Sequence, residues 1–95
     1  MMVSPGERHR QVRVANRHGL HARPAAEFVK LANRFRSDIL VVREEMEVNG
    51  KSIMGMMMLA AEQGVELVIR ANGEDAEDAL SALAALVEHG FGEDT

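Results

Sequence analysis

The sequence of 95 residues contains no cysteine, no tryptophan and no tyrosine, and only three phenylalanines. Without cysteine the protein can form neither a disulfide framework nor a thiolate site, which fits a reducing compartment. With aromatic residues at 3% of the chain, it offers few rings on which nucleic-acid bases could stack. These absences lead us to expect a cytoplasmic protein without a nucleic-acid partner.

Long apolar runs are missing as well. No segment approaches the roughly 20 residues that a membrane-spanning helix needs. Residues 1–10 are polar and charged and lack the apolar core of a secretory signal. The formal net charge of −4 argues against general attraction to nucleic acid. We therefore expect no membrane insertion.

The remaining composition is that of one small folded domain. Hydrophobic residues make up 46% of the sequence, which suffices for a modest core and argues against disorder. A chain of this length fits a single domain. We predict that residues 8–92 form this domain and that residues 1–7, which include Pro5 and Gly6, are a short leader.

Hydrophobic periodicity divides the chain into seven elements. Period-two alternation and β-branched runs predict strands at residues 11–15, 39–42, 46–48 and 65–70. Apolar residues at helical spacing predict helices at residues 22–35, 53–61 and 76–89, the last two capped by Ser52 and Asp75. The turn at Asn49 and Gly50 leaves open a hairpin through Ile53 in place of the second helix.

The predicted order of elements is βαββαβα. Two strands follow each other without a helix between them, which excludes a simple alternating parallel sheet. The order predicts an α+β fold, in which helices pack on one face of a four-stranded, antiparallel sheet.

The chemistry concentrates around His21, where a loop becomes the first helix. The unpaired N–H groups and the dipole of a helix start attract an anion. Arg23 can bind an oxyanion through charge-assisted hydrogen bonds, and a neutral imidazole is a nucleophile. From the residues alone, an ordinary N-cap histidine beside a surface arginine remains an equally good interpretation.

Three segments, in order and at matching separations, resemble the HPr family of phosphocarriers of the bacterial phosphoenolpyruvate-dependent phosphotransferase system. They are the string from Gly19 to Ala26, the string from Lys51 to Gly55, and Gly73-Glu74-Asp75. The resemblance covers about residues 11–90. It implies the family's open-faced β-sandwich of βαββαβα order, which agrees with the order read from periodicity.

The resemblance also implies roles for single residues. His21 matches the histidine that carries the phosphoryl group on Nδ1, and Arg23 matches the arginine that assists transfer, with the backbone of Ala22 and Arg23 binding the phosphate. Ser52 matches a serine that HPr kinase/phosphorylase modifies in many members. The implied partners are enzyme I as donor and an enzyme IIA-type acceptor. The implied protein is a monomeric carrier without cofactor rather than an enzyme.

A methionine-rich segment follows Ser52. Too many apolar residues occur on this short helix for all of them to face the core, and methionine suits adaptable interfaces. The resemblance implies a partner-binding surface formed by Ala22, Ala26, Ile53, Met54 and Met57. A methionine stripe buried in the core is the competing interpretation, and Ser52 is also explained as a simple helix cap.

Three alternatives concern function. His18 and His21 could suggest a metal pair, but no further ligand completes a set, so we expect no metal site. We expect Asn16 and His18 to shape the loop beneath the imidazole instead.

The ending at residues 88–94 is similar to that of nitrogen-type phosphocarriers, which serve a regulatory phosphorelay rather than sugar uptake. A pure interaction module that carries no phosphate is the remaining alternative.

Overall fold

A computed structural model describes residues 6–93 of the chain. These residues form four strands, which are β1 (Glu7–Arg13), β2 (Asp38–Arg43), β3 (Met46–Asn49) and β4 (Glu66–Asn72). The helices are α1 (Ala22–Ala32), α2 (Ile53–Met58) and α3 (Ala76–Glu88), followed by a 3-10 turn at Gly90–Gly92. Within residues 6–93, no helix combines the length and apolar character needed to cross a membrane.

The strands form one antiparallel sheet in the order β1-β4-β2-β3. Alternate residues of the central strand β4, namely Leu67, Ile69 and Ala71, are buried on one face. The helices cover that face, with α3 on β1 and β4 and with α1 against α2 and α3. The predicted α+β fold, with a four-stranded antiparallel sheet and helices on one face, is confirmed.

The first strand begins earlier than predicted. β1 begins at Glu7, inside the range predicted as a leader, and it ends at Arg13 rather than at residue 15. It is an edge strand in which Val12 is the one buried residue. Its first half therefore has no apolar alternation by which a sequence could reveal it. The part of the predicted leader at residues 1–5 lies outside the described residues.

The helices are shorter than predicted. α1 ends at Ala32 instead of residue 35, and α3 ends at Glu88, one residue early. α2 ends at Met58 instead of residue 61, because Ala60 adopts a left-handed φ of 49°. The alternative of a hairpin through Ile53 is wrong, since the chain enters α2 there.

Asp75 occupies the N-cap position of α3, but its side chain does not cap that helix. Its carboxylate instead accepts hydrogen bonds from Arg36 N–H at 2.8 Å, Ser37 N–H at 2.9 Å and the Ser37 hydroxyl at 2.6 Å. The Ser37 hydroxyl and the Arg36 amide hold the pKa of Asp75 down at about 2. The group thus ties the connection between α1 and β2 to the start of α3.

Candidate functional site

The loop before α1 is fixed against the segment that follows α2. The N–H of Leu20 donates to the carbonyl of Ala61 at 2.9 Å. Gly19 has a φ of 67°, and a Cβ built on it would lie 2.3 Å from the same carbonyl oxygen. Only glycine fits this approach and this left-handed conformation. The contacts of Gly19 and Leu20 with Ala61 fix the backbone just before His21, which stands at the start of α1 with its side chain 42% exposed.

The start of α1 has unused backbone donors. His21 is the N-cap residue, but its side chain forms no cap hydrogen bond. Pro24 has no N–H, and Ala25 N–H donates to the carbonyl of His21 at 3.1 Å. The first-turn amides without an intrahelical acceptor are therefore those of Ala22 and Arg23. Together with the helix dipole they form an anion-binding position beside the imidazole.

Arg23 brings positive charge to the same place. Its Nη1 donates to Oε1 of Glu27 at 2.7 Å within α1, and its Nη2 pairs with the carboxylate of Glu93. The side chain is about half exposed. A guanidinium held in this way can turn its donors to the oxygens of an arriving phosphoryl group.

Glu93 is a member of the site that the sequence did not reveal. Its Oε2 lies 3.0 Å from Nε2 of His21, and its side chain is 11% exposed. Burial raises the pKa of this carboxyl, but hydrogen bonds from Asn16 and Arg23 and the charge of Arg23 outweigh burial and lower it below its ordinary value. In the sequence, the ending at residues 88–94 indicates only one family branch, and the turn residues Gly90, Phe91 and Gly92 just before Glu93 are the signal that could have pointed to the site.

Asn16 shapes the loop beneath the imidazole through its side-chain hydrogen bonds. It is fully buried, and its Nδ2 donates to the Gly19 carbonyl at 2.7 Å and to Oε1 of Glu93 at 2.9 Å. The ring of His18 stands perpendicular to that of His21, with centroids 6.0 Å apart. Residues 6–93 contain no group of three metal-ligating side chains.

Ser52 begins α2 and fulfils its predicted capping role. Its Oγ accepts the Gly55 N–H at 3.0 Å. The methionines that follow it in α2 differ in exposure: Met56 is completely buried, whereas Met54 is 75% exposed. Ile53, Met57 and Met58 are exposed too. We call Ile53, Met54, Met57 and Met58 the methionine patch, and the interpretation of the stripe as core holds for Met56 alone.

The methionine patch lies on α2, which packs against α1. On the α1 side, Ala22 is exposed and Ala26 is partly exposed. The residues predicted for partner binding are thus all at least partly exposed, and they lie on two helices that pack against each other. Met58, 63% exposed, belongs to the same patch, although the resemblance assigns it no role.

Two members of one family among the solved structures are described as dimers. They are an HPr of Thermoanaerobacter tengcongensis, 48% identical with a TM-score of 0.73, and the Crh protein of Bacillus subtilis, 46% identical with a TM-score of 0.72. The chain covers 94% and 97% of those proteins, which cover 86% and 94% of it. The monomeric state implied by the resemblance therefore does not hold for every relative.

Further comparisons identify relatives over most of the chain. A family model described as the PTS HPr component phosphorylation site matches residues 8–89. Phosphocarrier protein HPr of Treponema pallidum (strain Nichols) is 51% identical over 83 residues, which are 87% of this chain and 94% of that protein. HPr-C-His from Thermoanaerobacter tengcongensis matches with a TM-score of 0.88 and 44% identity, over 93% of this chain and 99% of that one. The chain belongs to the HPr family of phosphocarrier proteins of the phosphotransferase system.

Proposed function

We propose that the protein accepts a phosphoryl group on His21 from enzyme I and passes it to an enzyme IIA-type protein in the cytoplasm. The observation that carries the proposal is an exposed imidazole at a helix start whose amides are not capped, with the Arg23 guanidinium beside it. In this proposal, the protein is a carrier that forms a covalent phosphohistidine, needs no cofactor, and works as a monomer.

The site suits a transfer that must run in both directions. The imidazole supplies the lone pair that attacks phosphorus. The amides of Ala22 and Arg23 and the guanidinium bind the oxygens on which charge develops. All these contacts are hydrogen bonds at the protein surface, so they stabilise the bound group without enclosing it. The next protein can then reach the phosphorus from the open side.

The methionine patch, with Ala22 and Ala26, serves as the docking surface for both donor and acceptor. Its support is the exposure of large apolar side chains on α2, which packs against the helix that starts at the reactive imidazole. Methionine side chains adapt to more than one partner surface. The carrier must bind two different proteins in turn, and this composition meets that need.

Ser52 is a proposed regulatory phosphosite for HPr kinase/phosphorylase. A phosphate there adds about −1.5 to −2 charges at the edge of the methionine patch. It replaces the cap that the hydroxyl now provides to Gly55, so the helix start can accommodate it. The added charge is expected to repel a partner that docks through apolar contacts.

The second candidate function is that of a nitrogen-type carrier, which serves a regulatory phosphorelay and is not coupled to sugar uptake. The similarity of residues 88–94 to nitrogen-type endings supports it. Purified enzyme I of the sugar branch and of the nitrogen branch distinguish the two candidates, since the true donor should phosphorylate the carrier with the higher kcat/KM.

The test of the carrier function is phosphorylation from phosphoenolpyruvate through enzyme I, followed by intact mass spectrometry. The wild-type protein is expected to gain one acid-labile phosphoryl group, and the His21→Ala variant none. Acid-labile phosphate on His21→Ala, or none on the wild-type protein with either donor, would contradict the proposal. Light scattering at micromolar concentration checks the monomeric state.

A further inference from the structure

Glu93 contacts three side chains of the site at once. Its two carboxylate oxygens lie 3.0 and 3.3 Å from Nε2 of His21. One oxygen also pairs with the Arg23 guanidinium, and the other accepts from Asn16 Nδ2 at 2.9 Å. Because Asn16 is fully buried, these contacts hold the carboxylate in one position beside the ring.

The position of Glu93 is built into the fold. Gly90, Phe91 and Gly92 have φ values of 65°, 58° and 72°, and this left-handed turn follows the end of α3. A left-handed phenylalanine is uncommon and persists only where its surroundings require it. Here Phe91 is buried in the core, so the turn is anchored and Glu93 follows it directly into the site.

The contact determines which nitrogen of His21 carries the ring proton. An ionised carboxylate can only accept hydrogen bonds. The hydrogen bond between Glu93 and Nε2 therefore requires the proton on Nε2. A neutral imidazole has one ring proton, so the lone pair is left on Nδ1.

We propose that Glu93 is a positioning residue for phosphoryl transfer, which binds Nε2–H of His21 and thereby selects the tautomer whose Nδ1 is the nucleophile. The inference rests on the proposed carrier function. Through Glu93, the segment after α3 then takes part in the reaction.

The transfer step then needs no proton movement. The lone pair of Nδ1 forms the new bond to phosphorus. The bond between phosphorus and its atom on the donor breaks, and that electron pair stays with the donor. The proton remains on Nε2, and the ring becomes positively charged. Glu93 faces this charge at 3.0 Å, so its interaction with the ring strengthens as the bond forms.

The Glu93→Gln variant tests the selection directly. A glutamine amide can either accept from or donate to the imidazole, so the preference for Nε2–H is lost. Nitrogen-15 NMR of the imidazole in mildly alkaline buffer measures the tautomer ratio. We expect the Nδ1–H form to gain about fivefold relative to Nε2–H, because a charge-assisted bond is replaced by a neutral one. Glu93→Ala, which removes all three contacts, should also raise the Nδ1–H share.

Kinetics with enzyme I give the second readout. We expect kcat for phosphorylation of Glu93→Gln to fall about tenfold, because the reactive tautomer becomes less populated and no carboxylate faces the charge that develops on the ring. KM should not change, because Glu93 is largely buried and lies outside the methionine patch. Glu27→Gln is the matched control: it removes the same charge and contacts Arg23 at 2.7 Å, but within residues 6–93 Glu27 has no hydrogen bond to His21. Its tautomer ratio should equal that of the wild type.

Equal tautomer ratios in wild type and Glu93→Gln overturn the inference, whatever the rates. A shifted ratio with unchanged kcat overturns the role in transfer. If enzyme I fails to phosphorylate the wild-type protein, the carrier function fails, while the NMR experiment still decides whether Glu93 selects the tautomer.

Discussion

The starts of α1 and α2 both present a side chain that we propose to be phosphorylated, yet they are built in opposite ways. At α2, the Ser52 hydroxyl already accepts the Gly55 N–H, so the helix caps itself. At α1, the His21 side chain provides no cap and is held by Glu93 instead. The start of α1 thus lacks the stability that a side-chain cap provides, but its amides remain available to an external anion. The start of α2 has that stability, and modification of Ser52 would replace its cap.

The largest effect is expected from giving the start of α1 a capping serine like the one at the start of α2. His21→Ser introduces a side chain that can cap α1, which should raise the free energy of unfolding by up to about 1 kcal/mol. The same change removes the nucleophile, so labelling from phosphoenolpyruvate through enzyme I should disappear. Denaturant unfolding and intact mass measure the two outcomes. Acid-labile labelling of the variant, or a loss of stability, would show that the two starts do not differ as described.

A tenfold effect on KM is expected from placing a charge in the methionine patch on α2. Met54→Glu places a carboxylate in the methionine patch, where Met54 is 75% exposed. We expect KM with enzyme I to rise about tenfold, as for loss of an important interface contact, while the melting temperature stays the same. Ser81→Glu, at an exposed position of α3, is the control for charge alone. Unchanged kinetics for Met54→Glu would remove the patch from docking.

A smaller effect is expected from removing the cap of α2. Ser52→Ala leaves the Gly55 N–H without its side-chain acceptor and should lower the free energy of unfolding by about 1 kcal/mol. Ser81→Ala makes the same substitution inside α3, where alanine is favourable, and should cause no loss. If both variants are equally stable in urea, the cap of α2 contributes nothing and the contrast with α1 concerns chemistry alone.

The start of α3 differs from the other two in that the stability contributed by its N-cap residue, Asp75, depends on pH. The pKa of Asp75 is lowered to about 2 by hydrogen bonds to Ser37 and Arg36, so the carboxylate stabilises the folded state above its ordinary pKa of 3.8. This contribution is lost as the pH falls from about 4 towards 2. Asp75→Asn should therefore be less stable than wild type at neutral pH, and the gap should narrow in acid. Urea unfolding of both proteins at several pH values measures this gap.

The sequence predicted what depends on neighbours in the chain. The alternation within residues 65–70, which puts Leu67 and Ile69 on one face, located β4, and Ser52 ahead of an apolar run located the cap of α2. Glu93 could not be found in this way, because its contact with His21 joins residues 72 positions apart. Asp75 was placed correctly as an N-cap residue, but its hydrogen bonds go to residues brought near only by packing.

The close approach of Gly19 to Ala61 has a consequence for how partners find the site. Because this contact ties the imidazole loop to the segment just after α2, the distance and direction from the methionine patch to His21 are constant. A partner that binds the patch therefore meets the reactive nitrogen at a fixed offset and needs no rearrangement of the carrier. Proteins of unrelated fold can share such a carrier, provided that each presents its own reacting atom at that one offset from an apolar surface.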